Sequence, residues 1–225
     1  MTTLPFRLSA ALLAASLALT SCASEDHRTV AVHQVATYDV AYTGERHSLA
    51  IGQFHNSSPY MRGLFSEGPD RLGQQAKTIL QTHLTRTNRF LLLDRDNLDE
   101  LAFESGLSGE AQELAGARTV VTGEVTEFGR KTTGDRWFFG LFGRGKTQAA
   151  YAKVSLNVVD TKTSAVLFAV QGAGEYSLSN REVLGTGGTS GYDSTLNGKV
   201  LDLAITDAVN GLVAGLEQGA WTPNT

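Results

Sequence analysis

The chain has 225 residues, a net charge of −4 and 19 Lys and Arg residues. It has no basic cluster of the kind that marks a nucleic-acid-binding protein. Cys22 is the only cysteine, so an internal disulfide is excluded. The length is sufficient for one sizeable hydrophobic core.

Residues 1–21 have the pattern of a secretory signal peptide, with Arg7, an apolar stretch over 8–19 and small residues before Cys22. The apolar stretch is shorter than the ~20 residues that a transmembrane helix needs. Leu19-Thr20-Ser21-Cys22 resembles the lipobox of bacterial lipoproteins, in which the cysteine takes a diacylglycerol and becomes the new N-terminus. We therefore predict that Cys22 is lipidated. The alternative is an ordinary signal peptide that is cleaved nearby.

The residue after the cysteine is Ala23 rather than Asp. In this respect the chain resembles lipoproteins that are sorted to the outer membrane. The predicted location is therefore the outer membrane, with the domain facing the periplasm. Residues 22–46 are polar and are interpreted as a lipidated tether. Residues 47–221 form the predicted periplasmic domain, and 222–225 a short tail. The mature chain would carry 18 basic and 23 acidic residues, a net charge of −5.

Hydrophobic periodicity predicts an α/β (α+β) sandwich with a mixed sheet and the element order β-α-β-α-β-β-β-α. A first strand surrounds Leu49–Phe54, a helix follows from about Pro69 to Asn88, and Phe90–Leu93 is predicted to be a buried strand. Asp94 or Asp96 is expected to cap a second helix with its apolar face at Leu98, Leu101 and Ala102, which ends at Gly106. A shorter helix is predicted over 109–115. The later predicted elements are strands from Thr119, over 150–158 and from Ala165, and a last helix from Asp193 or Ser194.

Residues 150–158 alternate most clearly: Ala150, Ala152, Val154, Leu156 and Val158 share one face. Two long β-hairpin excursions are predicted at 127–149 and 171–192. The outgoing arm of the first excursion carries charged residues in both alternating sets. In the second excursion, one side of the outgoing arm has no charge and is predicted to face lipid; its residues are Gly172, Gly174, Tyr176, Leu178 and Asn180.

The stretch Gly140–Thr147 matches the phosphate-loop pattern GxxxxGKT. Such a loop needs a preceding strand and a following helix whose N-terminus holds the phosphates. Here the chain continues into the alternating strand 150–158, so we predict a hairpin tip and no nucleotide binding.

Motifs for catalysis are absent from the sequence. The five histidines, His27, His33, His47, His55 and His83, lack metal-ligand spacing. His55 beside Ser57 and Ser58 is a weak candidate for a catalytic pair. His83 lies near the apolar face of the first helix and is expected to be packed rather than reactive. We therefore expect no enzymatic activity, no metal and no cofactor.

Several stretches in order resemble the curli secretion channel lipoproteins (the CsgG/HfaB group). These stretches are Arg89–Arg95, Val121–Phe128, Ser155–Thr161 and Gly219–Trp221, within a resemblance that covers roughly 49–221. The resemblance implies a lipid-anchored periplasmic α/β domain. It also implies a homo-oligomer in which two hairpins per subunit form an outer-membrane β-barrel that exports unfolded subunits. Under this interpretation the excursions 127–149 and 171–192 are those hairpins.

The same resemblance places the channel constriction in the loop 56–68, where Tyr60 and Phe65 are the aromatic candidates. The tip of the first excursion is a dense apolar group that is expected to contact a membrane, a partner or another subunit; it comprises Trp137, Phe138, Phe139, Leu141 and Phe142. The charged arm 127–136 is unfavourable on a lipid-facing barrel surface. The alternative is therefore a non-pore lipoprotein adaptor or scaffold that binds an envelope partner.

Overall fold

The structure is a computed structural model that describes residues 42–60, 69–109, 111–136, 144–182 and 195–223. The predicted order of strands and helices is confirmed. The elements are β1 His47–Asn56, α1 Arg71–Arg86, β2 Phe90–Leu93, α2 Leu98–Ser108, β3 Thr119–Arg136, β4 Arg144–Asp160, β5 Val166–Glu182 and α3 Leu196–Glu217.

The five strands form one mixed sheet in the order β2-β1-β3-β4-β5. β1 pairs with β2 and β3 in parallel, whereas β4 is antiparallel to both β3 and β5. α1 and α3 pack against each other and against one face of the sheet. The result is an open two-layer α+β fold, in agreement with the predicted mixed sandwich.

The hydrophobic core lies between this sheet face and the two helices. The predicted alternation of β4 is confirmed, because Ala150, Ala152, Val154, Leu156 and Val158 are all buried, whereas Tyr151 is 48% exposed. α1 contributes Leu72, Ala76, Leu80 and Leu84, which recur every four residues and so lie on one side of the helix. α3 is the most buried helix, because nearly every turn of it meets β5, β4 or α1.

Polar side chains fix the ends of α1. The Asp70 carboxylate accepts the Gly73 amide N–H at 2.9 Å and the Asn56 amide N–H at 2.6 Å, so one side chain caps the helix and binds the end of β1. At the other end, Asn88 lies two residues after the helix and has a positive φ of 57°. Asparagine adopts this left-handed conformation more readily than most other residues.

Several local predictions are wrong. β2 is an edge strand with Leu91 half-exposed, because β1 covers only one of its sides; it is not a buried strand. α2 ends at Ser108 and not at Gly106; its C-cap residue is Gly109, whose φ of 74° favours glycine. Residues 111–117 contain no helix. α3 begins at Leu196, and the predicted start at Asp193 or Ser194 lies outside the described residues.

No helix within the described part of the chain is both long and apolar enough to cross a bilayer.

Candidate functional site

The most extended feature of the fold is a ribbon made of the ends of β3, β4 and β5. Arg130, Ala150 and Tyr176 pair across these strands at the level where α3 begins, since Arg130 donates to Asn197 Oδ1 at 3.2 Å. Beyond that level, 131–136, 144–149 and 177–182 continue in unbroken antiparallel register. We call these three segments the ribbon.

The predicted hairpins correspond to this ribbon only in part. The first excursion is the β3–β4 hairpin, as predicted, and all five apolar residues of its tip lie outside the described residues. The outgoing arm of the second excursion is the end of β5, which pairs with β4; its return arm, 183–192, is outside the described residues too.

The predicted lipid-facing side of β5 is wrong at its beginning. Gly172 is buried, and a Cβ added there would collide with the backbone of Ala204 and Ala208 in α3. A Cβ on Gly174 would lie 2.8 Å from the Ala204 amide nitrogen. Tyr176 packs against the core, with Lys199 Nζ 5.2 Å from its ring centroid. These positions lack charge because they face a helix, so the free part of β5 begins near residue 177.

Charged residue types occur in both alternating sets of the ribbon. Lys131 pairs with Ala149, and the next residues of the same set include Asp135, opposite Gly145. The other set includes Lys146, opposite Gly134, and Arg136, opposite Arg144. By sequence and register, therefore, neither alternating set of ribbon positions consists of uncharged residue types only.

Tyr60 lies at the root of this ribbon. Its ring centroid is 4.5 Å from that of Phe128, and its carbonyl oxygen accepts the Asn56 side-chain N–H at 3.0 Å. Tyr60 is thus packed where β3 passes from the helix-covered sheet to the ribbon. Phe65, the second constriction candidate, lies outside the described residues.

A second exposed feature is α2. None of its residues is buried, although its sequence is as apolar as a core helix. Leu101, Phe103 and Leu107 are 43%, 65% and 69% exposed, and we call these three side chains the α2 surface. The predicted apolar face at Leu98, Leu101 and Ala102 is therefore not a core face. The i, i+4 spacing of Phe103 and Leu107 was the available sign of a second apolar side.

The start of α2 is held by Asp94, not by a side chain at the N-cap position. The Asp94 carboxylate accepts the Asn97 side-chain N–H at 2.7 Å and the Asp96 amide N–H at 2.9 Å. The hydrogen bond from the Asn97 side chain, followed by that from Asp96, holds the pKa of the Asp94 carboxyl below its usual value. The predicted cap at Asp94 or Asp96 is therefore wrong: Asn97 is the N-cap residue and no side chain caps the helix, while Asp94 holds the turn that precedes it.

Two buried polar contacts connect α3 to the rest of the domain. His83 of α1 is 1% exposed, and its Nε2 lies 2.8 Å from Asp202 Oδ1 and 3.3 Å from Thr206 Oγ1. Buried Arg89 donates to Glu217 at 2.7 Å, and its guanidinium lies 4.9 Å from the centroid of the Tyr42 ring. His83 is thus packed, as expected from the sequence. Tyr42 marks the point where the predicted tether meets the domain.

The arrangement around His55 does not form a catalytic triad. Ser57 Oγ donates directly to Glu124 Oε2 at 2.7 Å, and His55 Nε2 lies 3.5 Å from the same oxygen. The serine therefore faces a carboxylate and not an imidazole, which a nucleophile would need as its base. A shallow cavity of about 330 Å³ beside it is lined by Glu124, Ser155, Asn157 and Gln171, among others.

Two further site predictions can be compared with the structure. Lys146 and Thr147 of the phosphate-loop match lie in β4, so a strand follows them where a phosphate loop requires a helix. The described residues contain no group of three or more His, Cys, Asp or Glu side chains that could hold a metal ion.

Comparison with known proteins identifies the family. The model of the family "Curli production assembly/transport component CsgG" matches residues 36–225. The chain belongs to the CsgG family. A relative in Neisseria meningitidis serogroup B, named as a lipoprotein, is 58% identical over 213 residues, which cover 95% of this chain and 96% of that protein.

Solved structures with a similar fold are more distant from this CsgG-family chain. The PelC dodecamer of Paraburkholderia phytofirmans is 17% identical, with a TM-score of 0.38, and the match covers 74% of this chain and 87% of PelC. Lipoprotein GNA1162 of Neisseria meningitidis is 16% identical, with a TM-score of 0.33, over 76% of this chain and 99% of GNA1162.

Proposed function

We propose that this CsgG-family protein is a lipid-anchored, homo-oligomeric component of an export or assembly system at the outer membrane, facing the periplasm. It acts by binding and positioning polypeptides and catalyses no reaction. The observation that carries the proposal is the ribbon. Where the sheet continues past its helices, its edge strands present backbone N–H and C=O groups that another chain can pair with. Identical subunits can cover these edges without any other partner.

The direction of the strands supports this assembly. The free ends of β3 and β5 and the start of β4 all lie at the same end of the sheet. Subunits related by rotation about an axis parallel to the strands would therefore present all their ribbons on one side. Closed rotational symmetry is the usual form of homo-oligomers, and we call this arrangement the ring.

A second candidate function, a non-pore adaptor or scaffold, is favoured by the charge of the ribbon. Within the described residues, each strand continues six residues beyond the start of α3. A basic residue facing lipid at the bilayer centre costs about 2–4 kcal/mol, and every subunit would repeat that cost. In the adaptor, lipid at Cys22 is the only attachment to the membrane.

The two functions make different predictions for the mature lipoprotein extracted in mild detergent. Its mass is measured by native mass spectrometry, and its conductance is measured in a planar bilayer. A ring of many subunits with large, steady conductance supports an export channel. A ring without conductance supports an assembly scaffold, and a silent monomer contradicts the oligomeric proposal.

The variant Cys22→Ser separates the two modes of membrane attachment. An export channel should stay in the membrane fraction after a carbonate wash, because its ribbons still hold it there. An adaptor should move entirely to the soluble fraction, because one missing lipid group removes its whole anchor. The matched control is Ser24→Ala, which leaves the cysteine intact and should not change the distribution.

A further inference from the structure

The α2 surface is unusual for a helix inside a single domain. A helix with one apolar side normally buries it, and a helix with apolar residues on two sides normally lies in a core. α2 instead leaves Phe103 and Leu107 about two-thirds exposed. Exposed apolar groups of this kind mark sites of protein–protein contact.

The position of α2 in the sheet order indicates what covers it. α2 follows directly from β2, which is one edge strand of the sheet, and β5 is the other edge. Leu93, the last residue of β2, is at the same level as Val166, the first residue of β5. The cross-strand pairs that connect them are Leu93–Ala50, Ala50–Val120, Val120–Val159 and Val159–Val166.

Val166 is itself a 61% exposed apolar side chain. Each copy therefore carries apolar side chains on the helix that follows one edge strand, and an apolar side chain on the opposite edge strand. This is the requirement for a heterologous contact, in which one patch of a subunit meets a different patch of the next. A two-fold contact between two α2 surfaces would leave Val166 uncovered.

Charge is complementary across the same pair of edges. α2 carries Asp99, Glu100 and Glu104 and contains no basic residue. The turn before β5 carries the exposed Lys162, four residues from Val166, and has no acidic residue beyond the Asp160 that caps it. Opposite charges around an apolar contact fix its orientation and disfavour contact between two α2 surfaces.

We propose that the α2 surface binds the Val166 edge of the next copy of this chain, so that α2 is the side-to-side contact of the ring. This inference rests on the proposed homo-oligomer and adds to it the two surfaces that meet. β2 and β5 run in the same direction, since both are parallel in sense to β3. A contact between these edges therefore keeps every ribbon on one side of the ring.

Cysteine cross-linking tests the contact directly. Because Cys22 is the only native cysteine and is predicted to be lipidated, introduced thiols are the only free ones. The double variant Leu107→Cys/Val166→Cys, in the mature lipoprotein in mild detergent, is treated with a short bismaleimide and run on a denaturing gel. We expect a ladder from two subunits to the complete ring, and no ladder from either single variant. The matched control Gln81→Cys/Val166→Cys carries its first thiol on an exposed position of α1 and should give no ladder.

The possible outcomes separate the inference from the proposed function. Dimers from Leu107→Cys alone would mean that two α2 surfaces meet, which overturns the inference. An intact ring by native mass that cross-links in none of the variants overturns it too, while leaving the homo-oligomer in place. A monomer for the unsubstituted lipoprotein rejects the proposed homo-oligomer and the inference together.

A second variant checks the energetic role of the α2 surface. Phe103→Asp/Leu107→Asp should reduce the native mass from that of the ring to that of one chain. Since no residue of α2 is buried, the fold should stay intact, with an unchanged circular dichroism spectrum. Gln81→Asp adds a charge on α1 and should leave the ring unchanged. A ring that survives the double aspartate variant contradicts the proposal.

Discussion

Replacing Gly172 by alanine tests how closely β5 and α3 approach each other. A Cβ at this position would collide with the Ala204 carbonyl oxygen and the Ala208 amide nitrogen. Both are backbone atoms in the middle of α3, so no side chain can rotate away to make room. The added methyl group must therefore displace the helix from the sheet along the most buried part of the core.

The expected loss in the free energy of unfolding can be taken from overpacked cores of other proteins. Inserting an extra carbon into a well-packed interior costs about 1–3 kcal/mol, and backbone contacts belong at the upper end. For a domain of this length, each kcal/mol lowers the melting temperature by roughly 2–4 °C. Gly172→Ala should therefore lower the melting temperature by about 2–12 °C.

The assay is thermal and urea unfolding of the mature chain with Cys22→Ser, followed by circular dichroism. Gly106→Ala is the matched control, because the same change in α2 meets no atom within 4 Å and replaces a poor helix former with a good one. It should leave stability unchanged or slightly raised. If Gly172→Ala unfolds within about 0.5 kcal/mol of the parent, α3 does not lie against β5 as described.

Two other substitutions test polar contacts. His83→Leu should lower the free energy of unfolding by about 1–3 kcal/mol in urea titrations, because it leaves Asp202 without its 2.8 Å partner in a poorly hydrated place; Thr82→Ala, on the exposed side of α1, should change it little. The lowered pKa of Asp94 means that its carboxylate stabilises the start of α2 above its unfolded pKa near 3.9, and that this contribution is lost as the pH falls through the folded pKa. The protection factors of the Asp96 and Asn97 amides, which correct for the intrinsic pH dependence of exchange, should therefore fall at low pH, and Asp94→Ala should lower them at neutral pH and abolish the pH effect. Equal exchange in Asp94→Ala and the parent at neutral pH would show that this carboxylate does not hold the helix start.

The strands and the order of elements could be predicted from the sequence because each depends on a local period. Alternation of two residues places Ala152, Val154 and Leu156 on one side of any strand, wherever that strand lies. The cap at Asp70 and the left-handed glycine Gly109 are local features too, although the sequence analysis identified neither. The choice between Gly106 and Gly109 failed, because both satisfy the sequence rule for a helix end and backbone geometry decides between them. The short helix predicted over 109–115 failed too, since residues 111–117 contain no helix.

The parts that failed depend on distant residues. Leu101 and Phe103 have the composition of a core helix, and a sequence does not tell an interface from a core when both are apolar. Gly172 and Gly174 were assigned to a lipid-facing arm because they lack charge. Both positions are glycine because the backbone of α3, some thirty residues later in the chain, passes close to the β5 backbone and leaves no room for a Cβ. The start of the ribbon was predicted too early for the same cause, at 127 and 171 rather than 131 and 177, since it is set by where α3 begins.

The parallel pairing of β1 and β3 has a consequence for distance. The chain enters the domain at Tyr42, which contacts Arg89, and the Arg89 carbonyl oxygen accepts the amide N–H of His47, the first residue of β1. The ribbon ends at Arg136, at the far end of β3. An 18-residue strand at about 3.3 Å per residue is ~59 Å long. The twenty residues from Cys22 to Tyr42 span at most about 72 Å when fully extended. A lipid at Cys22 and the end of the ribbon can therefore reach one membrane only with the tether drawn out along the whole domain, whereas in an adaptor the same twenty residues set how far the domain can move from the membrane surface.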